Sequence, residues 1–181
     1  MRELVLGGAR SGKSAYAEQR ALALGLDTVY IATAQAQDTE MAARIAVHRA
    51  RRPTAWRLVE EPTNLAQALQ EHAAIGRCIV VDCLTLWLSN LLHRDIDAAV
   101  EVGPAPTPTF DRERNAVVAT LPDLPGEIIL ISNEVGMGIV PLGALSRRYC
   151  DEAGRLHQEL GRLCERVTFV AAGIPLTLKG T

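Results

Sequence analysis

The stretch "ELVLGGARSGKS", residues 3–14, decides the fold. From Gly7 to Ser14 it matches the pattern G-x-x-x-x-G-K-[ST], directly after an apolar, strand-like run and before a helical pattern, which is the context that defines a phosphate-binding loop. The glycines let backbone N–H groups converge on phosphate oxygens. The helix beginning near Gly12 adds the positive end of its dipole. The stretch therefore predicts a nucleoside triphosphate site.

The last two residues of this loop are the ones predicted to act on the phosphates and the metal ion. Lys13 is placed to reach the β- and γ-phosphates, and the Ser14 hydroxyl is placed to ligate Mg²⁺. The predicted nucleotide-binding residues of the loop are Gly7, Gly8, Ala9, Arg10, Ser11, Gly12, Lys13 and Ser14.

Two further carboxylates follow predicted strands. "CIVVD" ends in Asp82, which fits the second magnesium anchor of such a site and also fits a cap for the next helix; the two roles are compatible. "SNEVGMG" (132–138) follows another strand, and its Glu134 is a candidate for positioning metal or substrate, with a purely structural loop role as the alternative.

Short apolar runs alternate with longer helical patterns, which predicts a mostly parallel α/β sheet flanked by helices. The strands are predicted at 3–7, 28–33, 78–82, 127–132 and 167–172, with a weaker one at 56–60. Their continuous apolar character indicates cover on both faces. Helices are predicted over 13–24, 39–51, 65–73, 84–93 and 145–164, the last with a buried face formed by Leu145, Tyr149, Ala153, Leu156, Leu160 and Leu163.

The remaining features bound the class of protein. At 181 residues the chain suits a single domain over 1–181, with a proline-rich surface loop at 102–110. A net charge of −2 and 4% aromatic residues argue against nucleic-acid binding. The longest apolar segment, at 83–92, is too short to span a bilayer, and a secretory signal is lacking, so we expect a cytoplasmic protein.

Four cysteines show neither C-x-x-C pairing nor zinc-like spacing, so they are interpreted as buried or partly buried thiols. They are Cys78, Cys83, Cys150 and Cys164. Surface or structural roles are expected for His72, His93 and His157.

One histidine lies among arginines in "EMAARIAVHRARRP", residues 40–53. Helical spacing places Arg44, His48 and Arg51 on one face, with Arg52 close by. This face is either a solvated basic surface or a phosphate-binding one. In the second case, neighbouring positive charge lowers the pKa of His48 and keeps the imidazole neutral and nucleophilic. It then suits attack on phosphorus, although the sequence leaves the α- and γ-positions equally open.

Five segments together resemble one family: the bifunctional adenosylcobinamide kinase / adenosylcobinamide-phosphate guanylyltransferase of cobalamin biosynthesis. They are "GGARSGKS" (7–14), "YIATAQAQDTEMAARIAVHRARRP" (30–53), "VVDCLTLWLSNLL" (80–92), "ISNEVGMGIVP" (131–141) and "CDEAGRLHQELGRLCERVTFVAAGIPLTLK" (150–179). Only about 94–126 lacks a recognisable motif.

The resemblance implies two reactions at one site. ATP or GTP phosphorylates adenosylcobinamide, and GTP then passes GMP through a histidine to adenosylcobinamide phosphate, giving adenosylcobinamide-GDP and pyrophosphate. His48 matches the guanylylated histidine, and the family implies a RecA-like fold and a homotrimer. Further nucleotide-binding positions carried over from the family are Ala32, Thr33, Ala34, Arg49, Ala50, Arg51, Arg52, Glu60 and Asp82.

Two other functions remain open on the sequence. One is a small-metabolite kinase with the same phosphate loop and no nucleotidyl transfer. The other is a nucleotide-dependent switch, which the lack of an N-K-x-D guanine motif and the histidine–arginine helix disfavour.

Overall fold

A seven-stranded sheet forms the centre of the molecule. The computed structural model describes residues 1–35, 39, 43, 46, 53–101 and 109–180. The strands are β1 (Arg2–Gly7), β2 (Asp27–Ala32), β3 (Arg57–Glu60), β4 (Arg77–Asp82), β5 (Glu127–Asn133), β6 (Arg166–Ala171) and β7 (Ile174–Lys179). Their order is β3-β2-β4-β5-β1-β6-β7, parallel throughout except for β7, which pairs antiparallel with β6. The predicted mostly parallel sheet is confirmed.

Helices cover both faces of this sheet. They are α1 (Lys13–Leu24), α2 (Leu65–His72), α3 (Leu84–Glu101), α4 (Thr109–Thr120) and α5 (Ala144–Leu163), with a 3₁₀ turn at Leu121–Asp123. Helix α1 packs on one face through Ala17 and Ala21, against Val5 and Tyr30. The other four helices build a larger core on the opposite face. Burial on both faces explains the continuous apolar strands.

The structure differs from the predictions in one helix boundary, one missed helix and one loop boundary. Helix α3 continues to Glu101, beyond the predicted end at 93. Helix α4 was missed, and it begins at Thr109, so the last two residues of the predicted 102–110 surface loop are helical and Phe110 is fully buried. Burial of an aromatic ring removes a large apolar surface from water, which favours a position in the core over one on a surface loop. Residues 102–108 lie outside the described part of the chain.

The predicted buried face of α5 is right at its centre and wrong at its ends. Ala153, Leu156 and Leu160 are fully buried. Leu145 and Leu163, near the two ends of the helix, are 41% and 36% exposed. Hydrophobic spacing identifies the face of a helix but not where its partner ends.

Strand β7 was not predicted. It contains Pro175 and is exposed along its whole length, as an edge strand tolerates. It follows β6 through a two-residue turn in which Ala172 and Gly173 both have positive φ, at 51° and 77°. Such turns usually carry Asn-Gly or Asp-Gly, so the Ala-Gly sequence gave no hairpin signal.

The four cysteines are free thiols, as expected. Cys78, Cys83 and Cys164 are buried and Cys150 is half-buried. Burial raises the pKa of the Cys78 and Cys164 thiols to about 12 and that of Cys83 to about 11, which makes them poor nucleophiles.

Candidate active site

The phosphate loop joins β1 to α1 and contains two backbone positions that exclude side chains. A Cβ on Gly7 would lie 2.5 Å from the Val170 carbonyl oxygen and 2.5 Å from Ser11 Oγ. Gly12 has φ 96° and lies against Gly173, whose Cα would be 3.0 Å from an added Cβ. The motif glycines are therefore required by close backbone approach as well as by the turn.

The loop is closed on itself and tied to the β6–β7 turn. The Ser11 N–H donates to the Gly8 carbonyl at 3.2 Å, and the Gly173 N–H donates to the Ser11 carbonyl at 2.8 Å. Ser11 Oγ is buried and has no hydrogen-bond partner among the described residues. An unsatisfied buried hydroxyl is costly, so a ligand oxygen at this loop would relieve it. Sequence reasoning missed Gly173, because the hairpin that presents it was not predicted.

Lys13 lies in the first turn of α1 and is 8% exposed. Its Nζ donates to the Gly8 carbonyl at 3.1 Å, which curls the side chain back over the loop. The cation is thus held where a phosphate chain would lie. Ser14 follows in the same turn and is half-buried, whereas Ala9 and Arg10 at the tip of the loop are exposed.

The strand register brings together three predicted site residues from distant parts of the chain. Ala32 at the end of β2 pairs with Glu60 of β3 on one side and with Asp82 of β4 on the other. On the next strands, Gly7 of β1 pairs with Asn133 of β5. All of these positions lie at the carboxyl edge, where open α/β sheets bind ligands.

Asp82 is oriented by a tyrosine that the sequence analysis did not single out. The Tyr30 hydroxyl donates to Asp82 Oδ2 at 2.5 Å, and Tyr30 is 1% exposed. Its ring stacks on Trp56 with a centroid separation of 6.2 Å. A tyrosine inside an otherwise apolar strand was the available signal, since a buried hydroxyl needs a partner.

Thr33, a predicted nucleotide contact, differs from the other predicted contacts because it is fully buried and bonded to other residues of the protein. It is fully buried, and its hydroxyl and backbone are bonded to Asp82, Cys83 and Asn90. In this structure Thr33 holds the ends of β2 and β4 together. Ala34, one residue on, is half-buried at the same edge.

Glu134 lies beside the phosphate loop. Its N–H donates to the Gly7 carbonyl at 3.0 Å, and its Oε1 accepts from the Gly136 N–H at 2.6 Å. Its Oε2 lies 3.8 Å from His157 Nδ1 on α5. Behind it, His157 Nε2 and Ser132 Oγ are 2.7 Å apart. The structure thus places Glu134 beside the phosphate loop, with His157 next to it, a contact for which sequence spacing offered no signal.

A cavity of about 270 Å³, partly open to solvent, begins at Val135, the residue after Glu134. It lies between the loop that follows β5 and the first turns of α5. Its lining includes Val135, Gly136, Val140, Arg147, Cys150 and Asp151.

Residues 39, 43 and 46 of the predicted histidine–arginine helix are helical, and the residues with predicted roles lie outside the described part of the chain. The residues concerned are Arg44, His48, Arg49, Ala50, Arg51 and Arg52, and their predicted roles stay predictions. Of the remaining histidines, His93 is exposed, His72 is half-buried and His157 is buried.

The oxygen-bearing side chains at the phosphate loop are of the kind that binds a magnesium ion together with a nucleotide. Within the described ranges, three or more His, Cys, Asp or Glu side chains never converge as a metal site. Mg²⁺ needs only one or two protein oxygens when phosphates and water supply the rest. The Ser14 hydroxyl and the Asp82 carboxylate, from the two elements that bound the site, are hard oxygen donors of this kind.

Fold and site together define a nucleotide-binding α/β protein with a phosphate loop. The chain belongs to the cobinamide kinase / cobinamide phosphate guanyltransferase family, whose model matches residues 3–178. The resemblance seen in the sequence is therefore confirmed.

Named relatives agree with this family. The chain is 58% identical over 180 residues to the bifunctional adenosylcobalamin biosynthesis protein CobP of Pseudomonas aeruginosa, covering 99% of this chain and 98% of the relative. It is 37% identical over 179 residues to the bifunctional adenosylcobalamin biosynthesis protein CobU of Escherichia coli, covering 97% and 98%.

The fold also has a distant structural neighbour. The flagellar accessory protein FlaH of Methanocaldococcus jannaschii superposes with a TM-score of 0.50 at 10% identity, over 99% of this chain and 78% of FlaH. At that identity the likeness concerns the fold alone. Each helix in the part of the chain that the model describes is too short or too polar to cross a membrane.

Proposed function

We propose that this chain catalyses two successive transfers at one nucleotide site. In the first, ATP or GTP phosphorylates the aminopropanol hydroxyl of adenosylcobinamide. In the second, GTP transfers GMP to His48 and releases pyrophosphate, and the GMP then passes to adenosylcobinamide phosphate. The product is adenosylcobinamide-GDP.

One observation carries the proposal. The phosphate loop from Gly7 to Ser14, with Lys13 folded over it, opens onto the same sheet edge as Asp82, in a chain that belongs to this family over residues 3–178. A phosphate cradle alone fits many kinases; the family supplies the acceptor and the second reaction.

The loop residues take the phosphate chain. Backbone N–H groups of the loop and the N-terminus of α1 bind the phosphate oxygens, and Lys13 offsets the charge that develops on them. Ser14 and Asp82 would hold Mg²⁺, which supplies charge neutralisation between phosphate oxygens. Tyr30 orients the Asp82 carboxylate for this purpose through the 2.5 Å hydrogen bond.

The guanylyl step rests on sequence. A neutral His48 nitrogen forms a bond to the α-phosphorus while the bond from that phosphorus to the bridging oxygen breaks, and the electron pair leaves with pyrophosphate. Arg49, Arg51 and Arg52 suit the stabilisation of this charge. A phosphate oxygen of adenosylcobinamide phosphate then displaces the histidine.

Labelled GTP tests the proposal. The protein is incubated with GTP labelled at the α- or the γ-phosphate, then denatured and examined for bound label, as wild type, His48→Ala and His93→Ala. We expect acid-labile, base-stable label from α-labelled GTP only, lost in His48→Ala and kept in His93→Ala, because His93 is an exposed histidine on α3. A chain that binds GTP yet never takes α-label is a kinase without nucleotidyl transfer.

A parallel assay follows phosphate from γ-labelled ATP, and separately from γ-labelled GTP, to adenosylcobinamide. Lys13→Ala is expected to lower this transfer by about 10²- to 10³-fold, because an aligned charge facing the transferred group is removed. Transfer that survives in Lys13→Ala would place the kinase reaction away from this loop.

We further propose that the protein is cytoplasmic, acts as a homo-oligomer, a trimer by family resemblance, and binds no nucleic acid. Light scattering coupled to size-exclusion chromatography measures the mass of the assembly. A mass of one chain at micromolar concentration would contradict the oligomer.

A further inference from the structure

Ser132, Glu134 and His157 form a row of polar side chains behind the phosphate loop. Ser132 is fully buried and His157 is 8% exposed, beside the larger apolar core of the sheet. His157 Nε2 lies 2.7 Å from Ser132 Oγ, and His157 Nδ1 faces Glu134 Oε2 at 3.8 Å. Both ring nitrogens are therefore directed at specific oxygens.

This arrangement sets the state of the imidazole. Burial lowers the pKa of His157 below its ordinary value of 6.5, with the Glu134 carboxylate opposing the shift. The ring is neutral at pH 7, so one nitrogen carries hydrogen and the other accepts. The tautomer with hydrogen on Nδ1 lets Nε2 accept from the Ser132 hydroxyl at 2.7 Å, and its Nδ1 then faces Glu134 Oε2 at 3.8 Å, which is longer than a hydrogen bond.

Glu134 is fixed from three sides yet still open to solvent. Its backbone is bonded to Gly7, its Oε1 to the Gly136 N–H, and its Oε2 faces His157, while its side chain remains 20% exposed. The next residues, Val135 and Gly136, line the 270 Å³ cavity. Glu134 is therefore bonded through its backbone to Gly7 of the phosphate loop and is followed directly by residues that line the cavity.

We propose that Glu134 accepts the proton of the acceptor hydroxyl during phosphoryl transfer, and that His157 is a positioning residue that holds this carboxylate. The inference rests on the proposed kinase reaction. The hydroxyl oxygen forms a bond to the γ-phosphorus, the bond from that phosphorus to the β,γ-bridging oxygen breaks, and the electron pair leaves with the nucleoside diphosphate. The hydroxyl proton passes to Glu134 and is released to solvent afterwards.

The guanylyl reaction supplies an internal comparison. Its attacking groups are a neutral imidazole and then a phosphate oxygen, and neither has to lose a proton to a carboxylate. A proton acceptor is thus needed in the kinase reaction alone, whereas a residue that binds nucleotide or metal is needed in both.

Glu134→Gln keeps the size of the side chain and removes the proton acceptor. We expect the kinase kcat to fall by about 10²- to 10⁴-fold, with the GMP–protein adduct still formed from α-labelled GTP. Glu71→Gln, a carboxylate on the surface of α2, is the matched control and retains both reactions. Loss of both reactions in Glu134→Gln would assign Glu134 to nucleotide or metal binding, and loss of neither would remove it from the reaction; either result overturns the proposal.

Two amide variants test the positioning role of His157. In His157→Asn the amide nitrogen replaces Nδ1 and keeps the donor toward Glu134, whereas in His157→Gln it replaces Nε2 and keeps only the contact with Ser132. We expect His157→Asn to retain most of the kinase kcat and His157→Gln to lose about 10- to 100-fold, with KM for adenosylcobinamide unchanged in both. A kcat that follows the melting temperatures of the two variants would make His157 merely structural and overturn its assignment.

The two proposals fail differently. A wild-type protein that forms no GMP adduct and phosphorylates no cobinamide contradicts the proposed function. A wild-type protein active in both reactions, with a fully active Glu134→Gln kinase, contradicts only the inference about Glu134.

Discussion

The hydroxyl of Thr33 donates a hydrogen bond to the Cys83 carbonyl at 2.7 Å and accepts one from the Cys83 N–H at 3.0 Å. The two residues are 50 positions apart and both are buried. Through this pair the end of β2 fixes the backbone that follows Asp82. The geometry of Asp82, the carboxylate that we propose as a Mg²⁺ ligand, thus depends on a threonine that need not contact the nucleotide itself.

Thr33→Val is expected to lower the free energy of unfolding by about 1 to 3 kcal/mol. The substitution keeps the shape of the side chain but leaves the buried Cys83 N–H without a partner, while the Cys83 carbonyl still accepts from the Trp87 N–H at 3.2 Å. Thr33→Ser keeps the hydroxyl, and we expect it to cost only about 1 kcal/mol for the lost methyl group. Denaturant titration measures both, and equal stability of the two variants would show that the hydrogen bonds contribute nothing.

Gly7→Ala is expected to destabilise the protein by about 1 to 3 kcal/mol and to weaken nucleotide binding, because the new methyl group meets the Val170 carbonyl and displaces Ser11. Gly8→Ala is the control for stability, since a Cβ there meets nothing within 4 Å. Thermal unfolding and GTP titration report the two effects. A Gly7→Ala protein as stable as Gly8→Ala would contradict the close approach.

The stability contributed by His157 is expected to fall in acid. Because burial lowers the pKa of this histidine from 6.5, the unfolded chain takes up its proton before the folded chain does. The contribution is therefore fully present above pH 6.5 and decreases as the pH falls from there toward the folded-state pKa. The measurement is the unfolding free energy of wild type minus that of His157→Asn, at several pH values from about 8 to about 5.

Most other titrating groups contribute equally to the unfolding free energies of wild type and His157→Asn, so their contributions cancel in the difference. Ser132 and the Glu134 carboxylate are the groups that face His157 in the described structure, and Glu134 opposes the shift. A difference that stays constant across this pH range would mean that His157 has the same pKa in both states.

Gly154→Ala is expected to stabilise the protein by about 0.5 to 1 kcal/mol. The residue lies inside α5, where alanine loses less backbone entropy on folding, and a Cβ there meets nothing within 4 Å. Gly126→Ala is the opposite case, because Gly126 has φ 85° and its Cβ would lie 2.4 Å from the Ala74 carbonyl oxygen. Thermal melts of the two variants should move in opposite directions.

Sequence reasoning succeeded where the signal was local. Helix α1 was predicted over its full length, because a glycine-rich loop starts it and Gly25, with φ 63°, ends it. The buried strands carried continuous apolar runs, so their positions were also clear. Helix α4 was missed because its sequence, "TFDRERNAVVAT", is mostly polar and its few core contacts are made with distant elements.

What the sequence by itself determined was the strand–loop–helix unit from Arg2 to Leu24 and, through it, the kind of ligand. Its glycines, lysine and serine act within a few residues of one another, so their spacing along the chain is already their geometry. Only the tertiary structure decided that Tyr30 orients Asp82, that Thr33 binds Cys83 and that His157 faces Glu134. Those contacts join residues on different strands and helices, and they follow from strand register and helix packing, which no local spacing specifies.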